Sequence, residues 1–341
     1  MIVEGIEHVQ PAVAGLHEQI FVFRSEEVRS DTNSSAPHEG ISLNYVPILF
    51  PDFATPTYRM KPGEKQLWRI ANTCSMAILQ LSLLYDGVAQ GMIGVARDGV
   101  AMGVNQTAVL NTVGSLGTGA TVWQLFPGSR IELIVTGPSA SVSKSQLVTI
   151  SFDTGPDGDS DPSYPLLNII PDEAVVKSPD AIIPANPADA QTLQRVPKDL
   201  AQQAPAVTRI LDFYQEPVNA SDPNSDTIFY VTPRGQPRVA FPDQKWPNIN
   251  VTQGVVEDWI INNPTEEEHI FHIHQMHFLV MERDSLTNPT PLLGTGLDQM
   301  WDVIDVPCCN HSVKIRVDFT GMRYTSAPFF PIQIHIRLLI L

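Results

Sequence analysis

Short runs of β-branched, aromatic and aliphatic residues, each closed by a proline or glycine turn, constrain this chain more than any other feature. Runs with strand character lie at residues 19–24, 66–72, 77–83, 130–135 and 148–152. Two of them follow the turns Lys61-Pro62-Gly63-Glu64-Lys65 and Pro127-Gly128-Ser129. Further runs lie at 208–213, 227–231, 256–263, 301–306 and 312–319. The 29 prolines and 21 glycines suit turns and edge strands. Strands about 8–12 residues apart, separated by such turns, predict an all-β chain built of β-sandwiches. A length of 341 residues allows two or three such domains.

The composition sets the boundaries within the chain. Residues 1–15 read as a short strand and turn, and 16–157 as one β-domain. Residues 158–206 form an expected linker, entered through the acidic, turn-rich stretch 153–162, which is poor core material. Its carboxylates do not follow the calcium-loop spacing, so a solvated connector is expected rather than a cation site. A short helix with proline at its start is expected at 187–195. A second β-unit fills 207–341.

A formal net charge of −16 argues against nucleic acid or an anionic membrane as partner. No apolar run reaches the roughly 18 residues of a membrane span. The first residues, Met1-Ile2-Val3-Glu4-Gly5, lack a basic leader and a long apolar core. Cys74, Cys308 and Cys309 make no disulfide framework. The adjacent pair is expected as reduced thiols in or near a loop, because neighbouring cysteines bridge only with unusual geometry.

Four of the nine histidines fall within Glu268-His269-Ile270-Phe271-His272-Ile273-His274-Gln275-Met276-His277. Imidazole is the commonest side-chain metal ligand near neutral pH. Residues two apart on a strand share a face, so His272 and His274 are expected to point the same way. His269 sits at the strand entrance, offering a ligand to a neighbouring metal. His277 is expected to pack or hydrogen-bond within the strand, and His38 to be a loop histidine.

This His-x-x-His-x-His stretch resembles the third-domain copper motif of the multicopper oxidases, the laccase and bilirubin oxidase family. The resemblance extends to the Pro-Gly-Glu-x-x-x-Trp-Arg-Ile-x-Asn run at 62–72 and the Pro-Gly-x-Arg-x-Glu run at 127–132. It covers most of the chain to about residue 319. It implies two cupredoxin-like Greek-key β-sandwich domains, the first without copper ligands. It also implies that residues 1–15 are the end of a preceding cupredoxin domain. On this resemblance His269 would bind type 1 copper, His272 type 2 copper, and His274 one of the type 3 pair. The activity implied is copper-dependent oxidation of phenols, aromatic amines or metal ions, with reduction of dioxygen to water.

The pattern is incomplete here. The family's first-domain His-x-His motifs are absent, and so is the closing His-Cys-His-x-x-x-His. The apolar tail at 329–341 carries His335 and no cysteine. A reading-frame change near Gly321-Met322-Arg323 would account for that tail. The chain is therefore expected to be inactive alone, with a partner chain needed to supply the missing copper ligands. The alternative is a non-catalytic cupredoxin-like module with at most a weak copper or zinc site. A third reading, a metal-assisted hydrolase, would need Glu268 as its carboxylate.

Overall fold

The computed structural model describes residues 5–28, 35–101, 122–174, 197–222, 225–238, 249–274, 276–284, 289–291, 300–320 and 332–333. The chain divides into two compact units. One is Met1–Asp153 with Asp159–Arg195, and the other is Thr154–Gly158 with Val196–Leu341. The all-β expectation is met, and both units are cupredoxin-like sandwiches.

In the first unit, the strand His17–Val28 runs parallel to Lys65–Asn72, which pairs antiparallel with Arg130–Thr136. Glu39–Leu43 and Val46–Ile48 extend one side of this sheet, and Ile93–Arg97 with Val100–Ala101 the other. A second sheet orders Trp123–Leu125, Leu79–Tyr85, Ser145–Thr149, Tyr164–Pro171 and Thr57–Met60. Alternating side chains fill the core, including the fully buried Phe23, Ile41, Trp68, Trp123 and Phe126. Each such side chain contributes about 1.5–3 kcal/mol through removal from water.

Two expectations are corrected in this unit. The strand Tyr164–Pro171 lies inside the stretch read as linker, yet it pairs with Ser145–Thr149 and Thr57–Met60. Its Tyr164, Leu166, Leu167 and Ile169 are buried, so the apolar run outweighs the acidic stretch before it. That acidic stretch is itself structured: Phe152–Asp153 pairs with Ser160–Asp161, and Asp161 Oδ1 accepts the His38 N–H at 2.7 Å. The strand read at the start of the chain falls on residues 1–4, outside the described residues. Two 3-10 turns form, Ile6–His8 and Pro11–Val13, the second opened by its proline. Ile6 and Val13 pack against Leu67, Val95, Ala96 and Ile134. The helix expected at 187–195 lies outside the described residues; a six-residue helix, Pro197–Gln202, is present in the second unit.

The second unit repeats the first pairing scheme. Val207–Pro217 runs parallel to Val256–Asn263, which pairs antiparallel with His311–Asp318, and that strand pairs with Phe278–Asp284. His269–His272 pairs separately with Val303–Val306. Trp259, Phe271, Phe278 and Phe319 are fully buried. Arg316 grips Asp258 with two bonds of 2.6 and 3.0 Å and donates to the carbonyls of Leu200 and Ala201, fastening the helix to the sheet.

The repetition extends to single hydrogen bonds. Trp68 Nε1 donates to Gln66, and Trp259 Nε1 donates to Glu257. Asn72 ends its strand and donates through its amide to the carbonyls of Ala77 and Leu125. Asn263 ends its strand and donates to the carbonyls of Glu267 and Val306. Leu125 pairs with Leu79, and Val306 pairs with His269. Leu79 and Ser82 thus occupy the positions that His269 and His272 hold in the second unit, so the first unit lacks those two imidazoles on the same frame.

We expect Asn72→Ala to destabilise the first unit by about 2–4 kcal/mol, because it strands two buried carbonyls. Urea denaturation followed by tryptophan fluorescence checks this, and a loss below about 1 kcal/mol would deny the amide that role.

Candidate metal centre

The strand Val256–Asn263 delivers Asn263 to the edge of the candidate site, and the turn that follows sets its geometry. Asn263 Oδ1 accepts the Thr265 N–H at 3.1 Å and the Thr265 hydroxyl at 2.6 Å. The hydroxyl has a single proton, and this short contact takes it. Thr265 Oγ1 is 3.1 Å from His269 Nε2 and therefore accepts from it. The proton of His269 is thus on Nε2, and the lone pair is on Nδ1. His269 is 1% exposed, and its Nδ1 has no hydrogen-bond partner among the described residues. The ring sits 4.9 Å from Phe213 and 5.7 Å, edge-on, from Phe229. Burial pushes its pKa down to about 4, so the ring is neutral at pH 7.

His272 has the opposite arrangement. It lies three residues further along the strand, on the other face. Its Nδ1–H donates to the Asp302 carbonyl at 2.7 Å, which leaves the lone pair on Nε2. The same carbonyl accepts the Ile273 N–H at 3.0 Å, fixing the strand end. The strand stops at His272, and His274 lies in the turn beyond, exposed, with its ring 4.9 Å from that of His272. The structure therefore brings His272 and His274 together and turns His269 toward a separate, aromatic-lined space. His277 Nε2 lies 3.9 Å from Asp302 Oδ2, on the carboxylate whose Oδ1 is 3.8 Å from His272 Nδ1. His335 lies outside the described residues.

Glu268 is buried, and its carboxyl is raised well above the usual carboxylate range, chiefly by burial and then by the charge of Asp305, with Arg283 opposing. Arg283 itself forks onto Asp305, with one bond of 3.0 Å and a second shorter one. Glu268 Oε1 is buried without a hydrogen-bond partner among the described residues.

A neutral imidazole with a buried, unpartnered lone pair suits a copper or zinc ligand. A type 1 site also needs a thiolate and a second imidazole. The expectation of reduced thiols at Cys308 and Cys309 is corrected, because the two are joined as a disulfide. Cys309 and Asn310 adopt φ of 67° and 69°, and this tight turn brings the adjacent sulfurs together. Cys74 is buried in the first unit. Among the described residues, no group of three or more His, Cys, Asp or Glu side chains is arranged to hold a metal ion. These residues fit part of a copper ligand set.

The sequence pointed to the histidines but not to the groups that orient them. Thr265 read as part of a turn and Asp302 as part of a strand, and Phe213 and Phe229 are distant in sequence. The Asn-Pro-Thr turn before the motif was the available signal for Thr265.

Comparison with known proteins agrees with this geometry. Residues 212–324 match the family model described as multicopper oxidase. No curated protein matches the chain. Among solved structures, a variant of McoA multicopper oxidase from Aquifex aeolicus aligns at a TM-score of 0.58 and 17% identity, covering 94% of this chain and 64% of that one. A multicopper oxidase from Campylobacter jejuni, described as a metallo-oxidase, aligns at 0.57 and 16% identity, covering 89% of this chain and 59% of its own. The laccase-like CueO of Ochrobactrum sp., with oxidase activity towards lignin model compounds, aligns at 0.53 and 17%, covering 90% and 61%. The chain thus spans less than two thirds of the length of these structures.

His269 carries a pH dependence whose direction is fixed. The unfolded imidazole takes its proton near pH 6.5 and the folded one near 4, so the unfolded chain binds more protons between these values. Stability from this residue is full above pH 6.5 and is lost as pH falls to 4, by about 3 kcal/mol. We expect the metal-free protein to lose that amount relative to His269→Leu between pH 7 and 4. Urea denaturation of both at each pH reads the difference, and parallel curves would contradict it.

Proposed function

We propose that this chain supplies one wall of a multicopper oxidase centre, contributing His269 to type 1 copper and His272 and His274 to the oxygen-reducing cluster. The bound coppers would supply electron transfer from a phenol, aromatic amine or metal ion to dioxygen. The chain's own residues do the holding. Thr265 and Asp302 fix which imidazole nitrogen faces a metal, and Phe213 and Phe229 line the space around His269. A complete centre needs ligands beyond these three, and a partner chain would be one source of them. The observation that carries this reading is the buried, neutral His269 with its unpartnered Nδ1.

A second reading is a non-catalytic cupredoxin-like module with at most a weak copper or zinc site. It is favoured by the absence of a complete ligand cluster among the described residues. Copper content per chain, measured together with oxygen uptake on a phenolic substrate, tests the copper reading. We expect the isolated chain to hold one Cu(II), lost in His272→Gln/His274→Gln, without oxygen uptake. A blue, fully loaded, active isolated chain would overturn the claim of incompleteness. A chain that takes up no copper would overturn the copper reading and leave the module.

A further inference from the structure

The turn beside the histidine strand carries chemistry that copper ligation does not use. Cys308 and Cys309 are joined to each other between the strands Val303–Val306 and His311–Asp318. We propose that this adjacent pair is a thiol–disulfide exchange site whose redox state sets how firmly Thr265 is held beside His269. The proposal rests on the reading of His269 as a metal ligand, but its mechanics need no metal.

Access comes first. Cys309 is exposed, whereas Cys308 is half-buried over Gly155, where an added Cβ would stand 3.2 Å from Cys308 Sγ. An incoming thiolate therefore reaches Cys309 Sγ. Backbone conformation comes second. Cys309 and Asn310 both lie in the left-handed region, which L side chains enter at a cost, and the link lies within this turn. The third point is reach. The Cys309 N–H donates to Thr265 O at 2.7 Å, and the Asn310 N–H donates to Asn263 O at 2.9 Å. Asn263 and Thr265 are the groups that orient the His269 ring.

A small dithiol completes the chemistry. One of its thiolates attacks Cys309 Sγ, forms a mixed disulfide and expels Cys308 as thiolate. The second thiolate attacks the dithiol's own bonded sulfur and releases Cys309. The dithiol leaves as a cyclic disulfide, and its two protons pass to the cysteines. Once the link opens, the turn's two N–H bonds to Asn263 and Thr265 loosen.

The test uses the copper-free full chain with and without dithiothreitol, read by iodoacetamide labelling and amide hydrogen exchange. Without reductant, neither Cys308 nor Cys309 is expected to label; with it, both label while buried Cys74 stays protected. Amides at 263–270 are then expected to exchange about tenfold faster, with those at 65–72 unchanged. Cys308→Ser/Cys309→Ser should show the fast exchange without reductant and shift the His269 imidazole nitrogen resonances. Labelling of both cysteines without reductant, or unchanged exchange at 263–270 after reduction, would overturn the proposal. Either failure leaves copper uptake through the histidines untouched, and absence of copper uptake leaves the exchange result standing.

Discussion

The hydroxyl of Thr265 is the small group on which the candidate centre depends. It gives its one proton to Asn263 and accepts from His269 Nε2, so the histidine is fixed both in orientation and in tautomer. Asn263 is anchored in turn through the carbonyls of Glu267 and Val306. A chain of neutral hydrogen bonds thus runs from the end of a core strand to one ring nitrogen. Burial supplies the rest, because a ring enclosed by Phe213 and Phe229 is expensive to charge. Its Nδ1 lone pair is preserved at neutral pH.

The same frame occurs twice. In each unit a tryptophan is tied to a polar residue two positions before it, and a terminal asparagine amide bridges two carbonyls. The first unit presents Leu79 and Ser82 where the second presents His269 and His272. The architecture is therefore indifferent to metal chemistry, and a few side chains on one short strand make the difference. Each histidine then borrows its orientation from a neighbouring segment: the Thr265 turn for His269 and the Asp302 carbonyl for His272. This division turns the two rings in separate directions.

Much of the fold was legible because strand periodicity and proline–glycine turns are local signals. The runs at 66–72, 130–135 and 256–263 fall within strands of the structure. Tyr164–Pro171 was missed because the acidic stretch before it dominated the compositional reading, although its own apolar residues fit a buried strand. At the site, the histidine spacing was legible. The tautomers were not, since they depend on Thr265 and Asp302 reaching the rings across turns and strand pairs. The Cys308–Cys309 link was missed because neighbouring cysteines bridge only in an unusual turn, here one with positive φ at Cys309 and Asn310.

The central claim is that the two strand histidines are held as opposite tautomers, each offering a different nitrogen to a metal. Nitrogen-15 resonances of the imidazoles in the metal-free protein at neutral pH test it directly. Protonated Nε2 with bare Nδ1 is expected for His269, and protonated Nδ1 with bare Nε2 for His272. A protonated Nδ1 on His269, or the same tautomer on both rings, would contradict it.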